Sequence, residues 1–171
     1  LMTVLRNDIN LLPIRGLAER SIAVVNVGEP KDNEFVRFIK KYAKVDVYSS
    51  VGGLSSSILS EIKKHDVIIV GVFSHNSSAR LALAQLKSIP NIVPVFFVNP
   101  YEMAQLGASI NDVKTLVLGY DNTPLIQEYA AQAIFGGIDV SGSLPVNIDG
   151  IAPIGTGVKL KRSRLGYTSP L

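Results

Sequence analysis

Short runs of aliphatic and β-branched residues recur along this chain, each followed by a stretch with helical spacing. Residues 22–28 (IAVVNVG), 66–73 (DVIIVGVF) and 92–98 (IVPVFFV) are almost continuously apolar. That is the pattern of strands buried on both faces. Residues 45–49 and 115–120 supply two further strands. Pro94 is expected near the start of its strand, where a missing N–H does least harm. Between these runs, Phe35, Val36, Phe38, Ile39 and Tyr42 repeat at helical spacing, with Asp32 as the expected cap. Residues 54–64 carry Leu54, Ile58, Leu59 and Ile62 on one helical face. Residues 78–88 stop before Pro90, and a short helix is expected from Tyr101 to Leu106. The last helix runs from Pro124 to about Phe135, capped by Thr123 and stopped by Gly136-Gly137. Parallel strands need long crossovers, and right-handed crossovers put helices on both faces of a sheet. The expected fold is α/β: a doubly wound, mostly parallel five- or six-stranded sheet with helices on both faces, a flavodoxin-like α/β sandwich.

At 171 residues, 47% hydrophobic and 18% charged, the chain has the length of about one domain and enough apolar content for a proper core. The absence of cysteine removes disulfides, thiolate metal sites and cysteine nucleophiles. It leaves the compartment open, bacterial cytoplasm or an exported location alike. The net charge of +3 is unevenly placed: Lys159, Lys161, Arg162 and Arg164 lie in an acid-free terminal stretch, and without them the rest stands at −1. A solvated linker explains that stretch better than a nucleic-acid-binding tail, because no stacking aromatics are interleaved with the charges. No apolar run reaches membrane-spanning length.

In open parallel sheets, ligands bind beyond the carboxyl ends of the strands. The loop Val27-Gly28-Glu29-Pro30 is not a GxGxxG turn, and no P-loop lysine pattern occurs. Ser74-His75-Asn76-Ser77-Ser78 is the most polar strand end, so His75 and Asn76 are the candidate ligand-edge residues. His75 has the chemistry of a general base, and the adjacent serines that of nucleophiles. A triad also needs an orienting acid and an oxyanion hole, and spacing supplies neither. Capping by Asn76 or Ser77, with His75 at the surface, is the plainer reading. His65 belongs to a surface turn, and the two isolated histidines do not make a zinc site. Glu29, Glu102, Asp121 and Glu128 are scattered, whereas glycosidase chemistry needs two carboxyls facing one sugar. No catalytic residue, cofactor or metal is assigned. Asn26 and Glu29 after the first strand, where a receiver needs clustered acids, and Tyr120 and Asp121 after the fifth, where it needs a lysine, argue against a receiver-like role.

Several segments, in order, resemble family 3 glycoside hydrolases. Thr3-Val4-Leu5-Arg6-Asn7, followed by Leu11-Leu12-Pro13-Ile14, resembles the "TLLKN…LLPL" segment joining their barrel to their second domain. Asn99-Pro100-Tyr101-Glu102-Met103 resembles the "NPYDL" turn of the β-N-acetylhexosaminidase branch. Tyr120-Asp121-Asn122-Thr123-Pro124 is similar to a "Y-x-x-T-P" helix start, and Ala130 to Gly136 to the "A-x-x-x-L-F-G" helix end. Gly142-Ser143-Leu144-Pro145-Val146 and Pro153-Ile154-Gly155-Thr156-Gly157 resemble the segments "G-x-L-P-V" and "P-x-G-x-G". The resemblance implies the carboxy-terminal domain of a retaining hydrolase. Its parent would remove terminal β-linked N-acetylglucosamine from glycans such as peptidoglycan fragments. It implies a nucleophilic aspartate and a histidine acid/base on an amino-terminal catalytic barrel, the chief partner, whose "KHFPGHG" and "SD" motifs are not in this chain. The chain alone is therefore expected to be non-catalytic. A β-glucosidase-branch domain bordering the sugar site, or a stand-alone module for a glycan or another small ligand, is the alternative. The implied division is a linker at 1–15, the α/β sandwich at 16–157, and a basic linker or tail at 158–171. Some relatives carry a serine-hydrolase-like domain after that point.

Overall fold

The computed structural model describes residues 2–167. Its strands are β1 (Thr3–Asn7), β2 (Ile22–Val27), β3 (Asp46–Ser50), β4 (Val67–Val72), β5 (Ile92–Phe96) and β6 (Thr115–Leu118). Its helices are α1 (Glu34–Ile39), α2 (Ser56–Ile62), α3 (Ser77–Leu86), α4 (Pro100–Ala104) and α5 (Pro124–Phe135). The strands form one six-stranded sheet in the order β1-β6-β5-β4-β2-β3. All neighbours are parallel except β1, which runs antiparallel to β6. Leaving β1 aside, the parallel strands follow the flavodoxin-like order, second-first-third-fourth-fifth. The α/β expectation holds, with six strands rather than five.

Alternate residues of the central strands feed two cores. Ala23, Val25, Ile68 and Val70 face α2, α3 and α4, meeting Ile62, Leu83, Leu86 and Met103. Val24, Ile69, Val93 and Val95 face α1 and α5, meeting Phe35, Ile39, Ala130 and Ile134. The second core contains an aromatic group in which Phe73 stacks on Phe97 at 4.6 Å and Phe35 meets Phe97 edge-on at 5.0 Å. Gly71 makes room for it: a Cβ there would stand 2.7 Å from Phe73 and 2.9 Å from the Asn26 Oδ1.

Local details depart from the sequence reading. Asn33, not Asp32, caps α1, its Oδ1 accepting from the Val36 N–H; Asp32 pairs instead with Arg37 at 2.8 Å. Pro94 lies third in β5 rather than at its start. The Phe97 N–H donates to Val72, so by strand alternation the ring nitrogen of Pro94 faces β6, where pairing begins only at Val95–Val117. At the amino ends of β2 and β4, the Ser21 N–H and hydroxyl both donate to Asp66 and hold its carboxyl below the usual carboxylate range.

The described residues of both expected linkers include some that pack against the sheet domain. Within 1–15, β1 adds the sixth strand, and Leu11, Leu12 and Ile14 are buried. Strand β1 is pinned by Arg6, whose guanidinium donates to the carbonyls of Asn111, Val113 and Ile151 at 2.8, 3.0 and 2.9 Å. Within 158–171, Val158 bridges to Val4, and Leu160 is buried and bridges to Val140. The Arg164 guanidinium donates to the carbonyls of Phe135 and Ile14. A cation on the last carbonyl of α5 is the favourable place for one. Tyr167 packs edge-on against Phe38 and Tyr42. Sequence periodicity missed these segments because each is short and is stabilised by distant parts of the chain.

Candidate functional site

The crossover from β2 runs to β3 on one side, and the next returns to β4 on the other. The crevice between the carboxyl ends of β2 and β4 is therefore the topological switch point, where ligands of such sheets bind. A cavity of about 450 Å³ lies there, walled by the ends of β2, β3 and β4 and by the start of α3. Its polar wall consists of Glu29, Ser49, Ser50, Ser74, Asn76 and Ser78. Gly28 forms its floor with φ +92°, and a Cβ there would lie 2.8 Å from the Ser74 Cβ. Glycine is required on both counts.

Asn76 caps α3: its Oδ1 accepts from the Ala79 N–H at 2.9 Å. Of the two caps considered from sequence, Asn76 is the one used. His75 is not simply a surface residue. Its Nε2 lies 3.0 Å from the Glu102 carboxylate and its Nδ1 2.8 Å from the Gln105 Oε1. Its carbonyl accepts from Arg80. Glu102 is fixed in turn by a capping box at the start of α4. There the Asn99 Oδ1 accepts from the Glu102 N–H at 2.8 Å and Glu102 accepts from the Asn99 N–H at 3.0 Å. The Asn-x-x-Glu spacing carries that signal in the sequence; the meeting of His75 with Glu102 depends on β4 and β5 being neighbours.

His75 stands on a ridge. Its neighbours Ser74 and Asn76 line the switch-point cavity, while its partner Gln105 lines a second cleft of about 690 Å³ beyond β5. That cleft runs between α4 and residues 145–149, and Tyr101, Tyr120, Pro145 and Val146 give it a mainly apolar wall. Tyr101 is 83% exposed. Tyr120 adopts a left-handed backbone (φ 72°), a costly state for a bulky residue, and its hydroxyl meets the Thr3 hydroxyl at 2.6 Å.

Scattered in sequence, Glu29 joins a polar chain across the strand ends. It accepts from Asn33 and Asn122, both at 3.0 Å. The Asn122 Oδ1 accepts from Gln127 at 2.7 Å, and the buried Gln127 Oε1 accepts from the Phe35 N–H at 2.8 Å. Glu29 is thereby a brace between the β2 and β6 loops. His65 lies at the other edge of the sheet with its side chain only 9% exposed, 2.7 Å from Asp46; it is a packed residue rather than one of a loose surface turn. Among the described residues, no group of three potential ligands is placed to hold a metal ion, and no helix is long and apolar enough to cross a membrane.

The fold recurs in known structures. The chain has the fold of one part of family 3 glycoside hydrolases. It aligns with a fungal multi-domain GH3 β-N-acetylglucosaminidase at 23% identity and a TM-score of 0.75, over 90% of this chain and 18% of that one. A family 3 β-N-acetylglucosaminidase from Paenibacillus sp. str. FPU-7 aligns at 17% identity and a TM-score of 0.63, over 92% and 31%. A β-glucosidase from Listeria innocua aligns at 16% identity and a TM-score of 0.61, over 83% and 24%. The chain thus spans less than a third of the length of these structures. No family model matches the sequence, and no curated protein sequence does.

Proposed function

We propose that this chain is the accessory α/β domain of a glycoside hydrolase that removes terminal β-linked N-acetylglucosamine from glycans such as peptidoglycan fragments. In this reading the nucleophile and acid/base belong to a catalytic barrel elsewhere in the same polypeptide. The strand-end edge with His75 and Asn76 faces the sugar-binding region without carrying out hydrolysis. The observation that carries the reading is the alignment of 90% of the chain with a part of a β-N-acetylglucosaminidase at a TM-score of 0.75. The Asn99-Pro100-Tyr101-Glu102 turn supports the hexosaminidase branch by its resemblance to that branch's turn; here it starts a short boxed helix. The apolar cleft beside Tyr101 and Val146 supports a docked neighbour, since exposed apolar surface of this kind marks interaction sites.

The test is release of p-nitrophenol from its β-N-acetylglucosaminide and β-glucoside, by this chain alone and by the chain joined to its barrel. The reading expects activity only in the joined form, and faster on the N-acetylglucosaminide. Faster release from the glucoside would move the domain to the other branch. Hydrolysis by the chain alone would overturn the accessory role and make His75 and Glu102 the first residues to replace.

A further inference from the structure

We infer that the switch-point cavity is a binding site for a neutral, polyhydroxylated molecule of about monosaccharide size. At about 450 Å³ its volume falls within the range of small-molecule sites. Four serines, an asparagine and a glutamate line it, beside Val27, Pro30 and Val51. Hydroxyls both donate and accept, so they match a ligand whose own groups do the same. The apolar wall suits the C–H face of a sugar or cyclitol ring. Charge argues against phosphate: no lysine or arginine is among the lining residues, and Glu29 is.

Ser50 supplies an independent indication. It is only 3% exposed, forms part of the cavity wall, and its hydroxyl has no hydrogen-bond partner. A buried hydroxyl left without a partner costs free energy and needs an explanation; a turn about the Ser50 Cα–Cβ bond toward the cavity gives it a ligand hydroxyl. The first-turn amides of α3 add donors with no carbonyl partner inside the helix, and Asn76 satisfies only that of Ala79. Gly28 keeps the floor open where any side chain would strike Ser74. Sugars among the probes follow from the proposed function, but the site itself rests on its lining chemistry.

The isotopically labelled chain is titrated with N-acetylglucosamine, glucose, myo-inositol and inorganic phosphate while its amide resonances are followed. Concentrations reach about 10 mM, enough to fill a millimolar site. At least one neutral polyol should shift the amides of Gly28, Ser50, Ser74 and Ser78 saturably. Ser50→Ala should weaken that binding about tenfold, yet melt no lower than the parent, because the hydroxyl it removes has no protein partner. Tyr101→Ala, in the other cleft, should bind as the parent does. The inference is overturned if only phosphate shifts these amides, if the shifts gather around Asn99 and Tyr101, if no probe shifts anything, or if Ser50→Ala binds unchanged. Binding is read here without hydrolysis, so a failed glycosidase assay and a failed titration are separate results.

Discussion

Replacing Gln127 by methionine tests whether the polar chain across the strand ends holds α5 to α1. Methionine has nearly the same volume and shape, so packing should change little. Two hydrogen bonds are lost, one from the Phe35 N–H at 2.8 Å and one to the Asn122 Oδ1 at 2.7 Å. Phe35 is fully buried at the second position of α1, where no intrahelical carbonyl is available. Its unpaired N–H should cost about 1–3 kcal/mol, while the exposed Asn122 can turn to water and loses less. The sum is about 2–3 kcal/mol, or a fall in Tm of roughly 5–10 °C for a chain of this size. Asn122→Ala alone should cost under about 1 kcal/mol. The pair should be non-additive in a double-mutant cycle, because Asn122 has little to lose once Gln127 is gone. Urea melts followed by far-ultraviolet circular dichroism measure each value. A Gln127→Met protein less than about 0.5 kcal/mol below the parent would show that α1 does not depend on this cap.

Gly71→Ala should cost about 1–3 kcal/mol by crowding Phe73 and Asn26, although its backbone angles suit alanine; thermal melting would show it. Arg6→Met should destabilise by about 2–4 kcal/mol, because three carbonyls lose a charged donor; hydrogen exchange should then find β1 opening first. The Asp66 carboxyl titrates lower in the folded chain than in the unfolded one, chiefly through the Ser21 N–H and then its hydroxyl. Its contribution is therefore present above the unfolded carboxylate pKa and fades as pH falls through the folded value. Ser21→Ala should lower stability at neutral pH, leave it little changed in strong acid, and so make the acid limb of a stability–pH profile shallower; an unchanged limb would count against the assignment.

The layering follows from features visible in the sequence. The runs at 22–28, 66–73 and 92–98 are apolar on both faces, and only a sheet covered twice can bury them. Helix α5 was legible to the residue because Thr123, Pro124 and Gly136 mark its ends chemically. Strand β1 was not, since its register comes from β6 and its anchor from carbonyls more than a hundred positions away. Of the basic stretch, Lys159, Lys161 and Arg162 are exposed, whereas Arg164 donates to backbone carbonyls, a contact that charge patterning alone does not reveal. At the candidate site, the polar end of β4 was found by composition alone. Its partners Glu102 and Gln105 were out of reach, because nothing local says that α4 follows the neighbouring strand.

The antiparallel seam between β1 and β6 carries a consequence for synthesis. Thr3 and Tyr120, which meet across it, are 117 positions apart, and Val4 is closed over by Val158. A chain emerging from the ribosome exposes the residues of β1 before the rest of this domain and must leave them unpaired until most of the domain has been made. In that interval Val4 and Leu5 are available to any other exposed strand, the hazard of slow, long-range pairing. Arg6, set among them, places a charge on that early segment and so serves the nascent chain as well as the finished one.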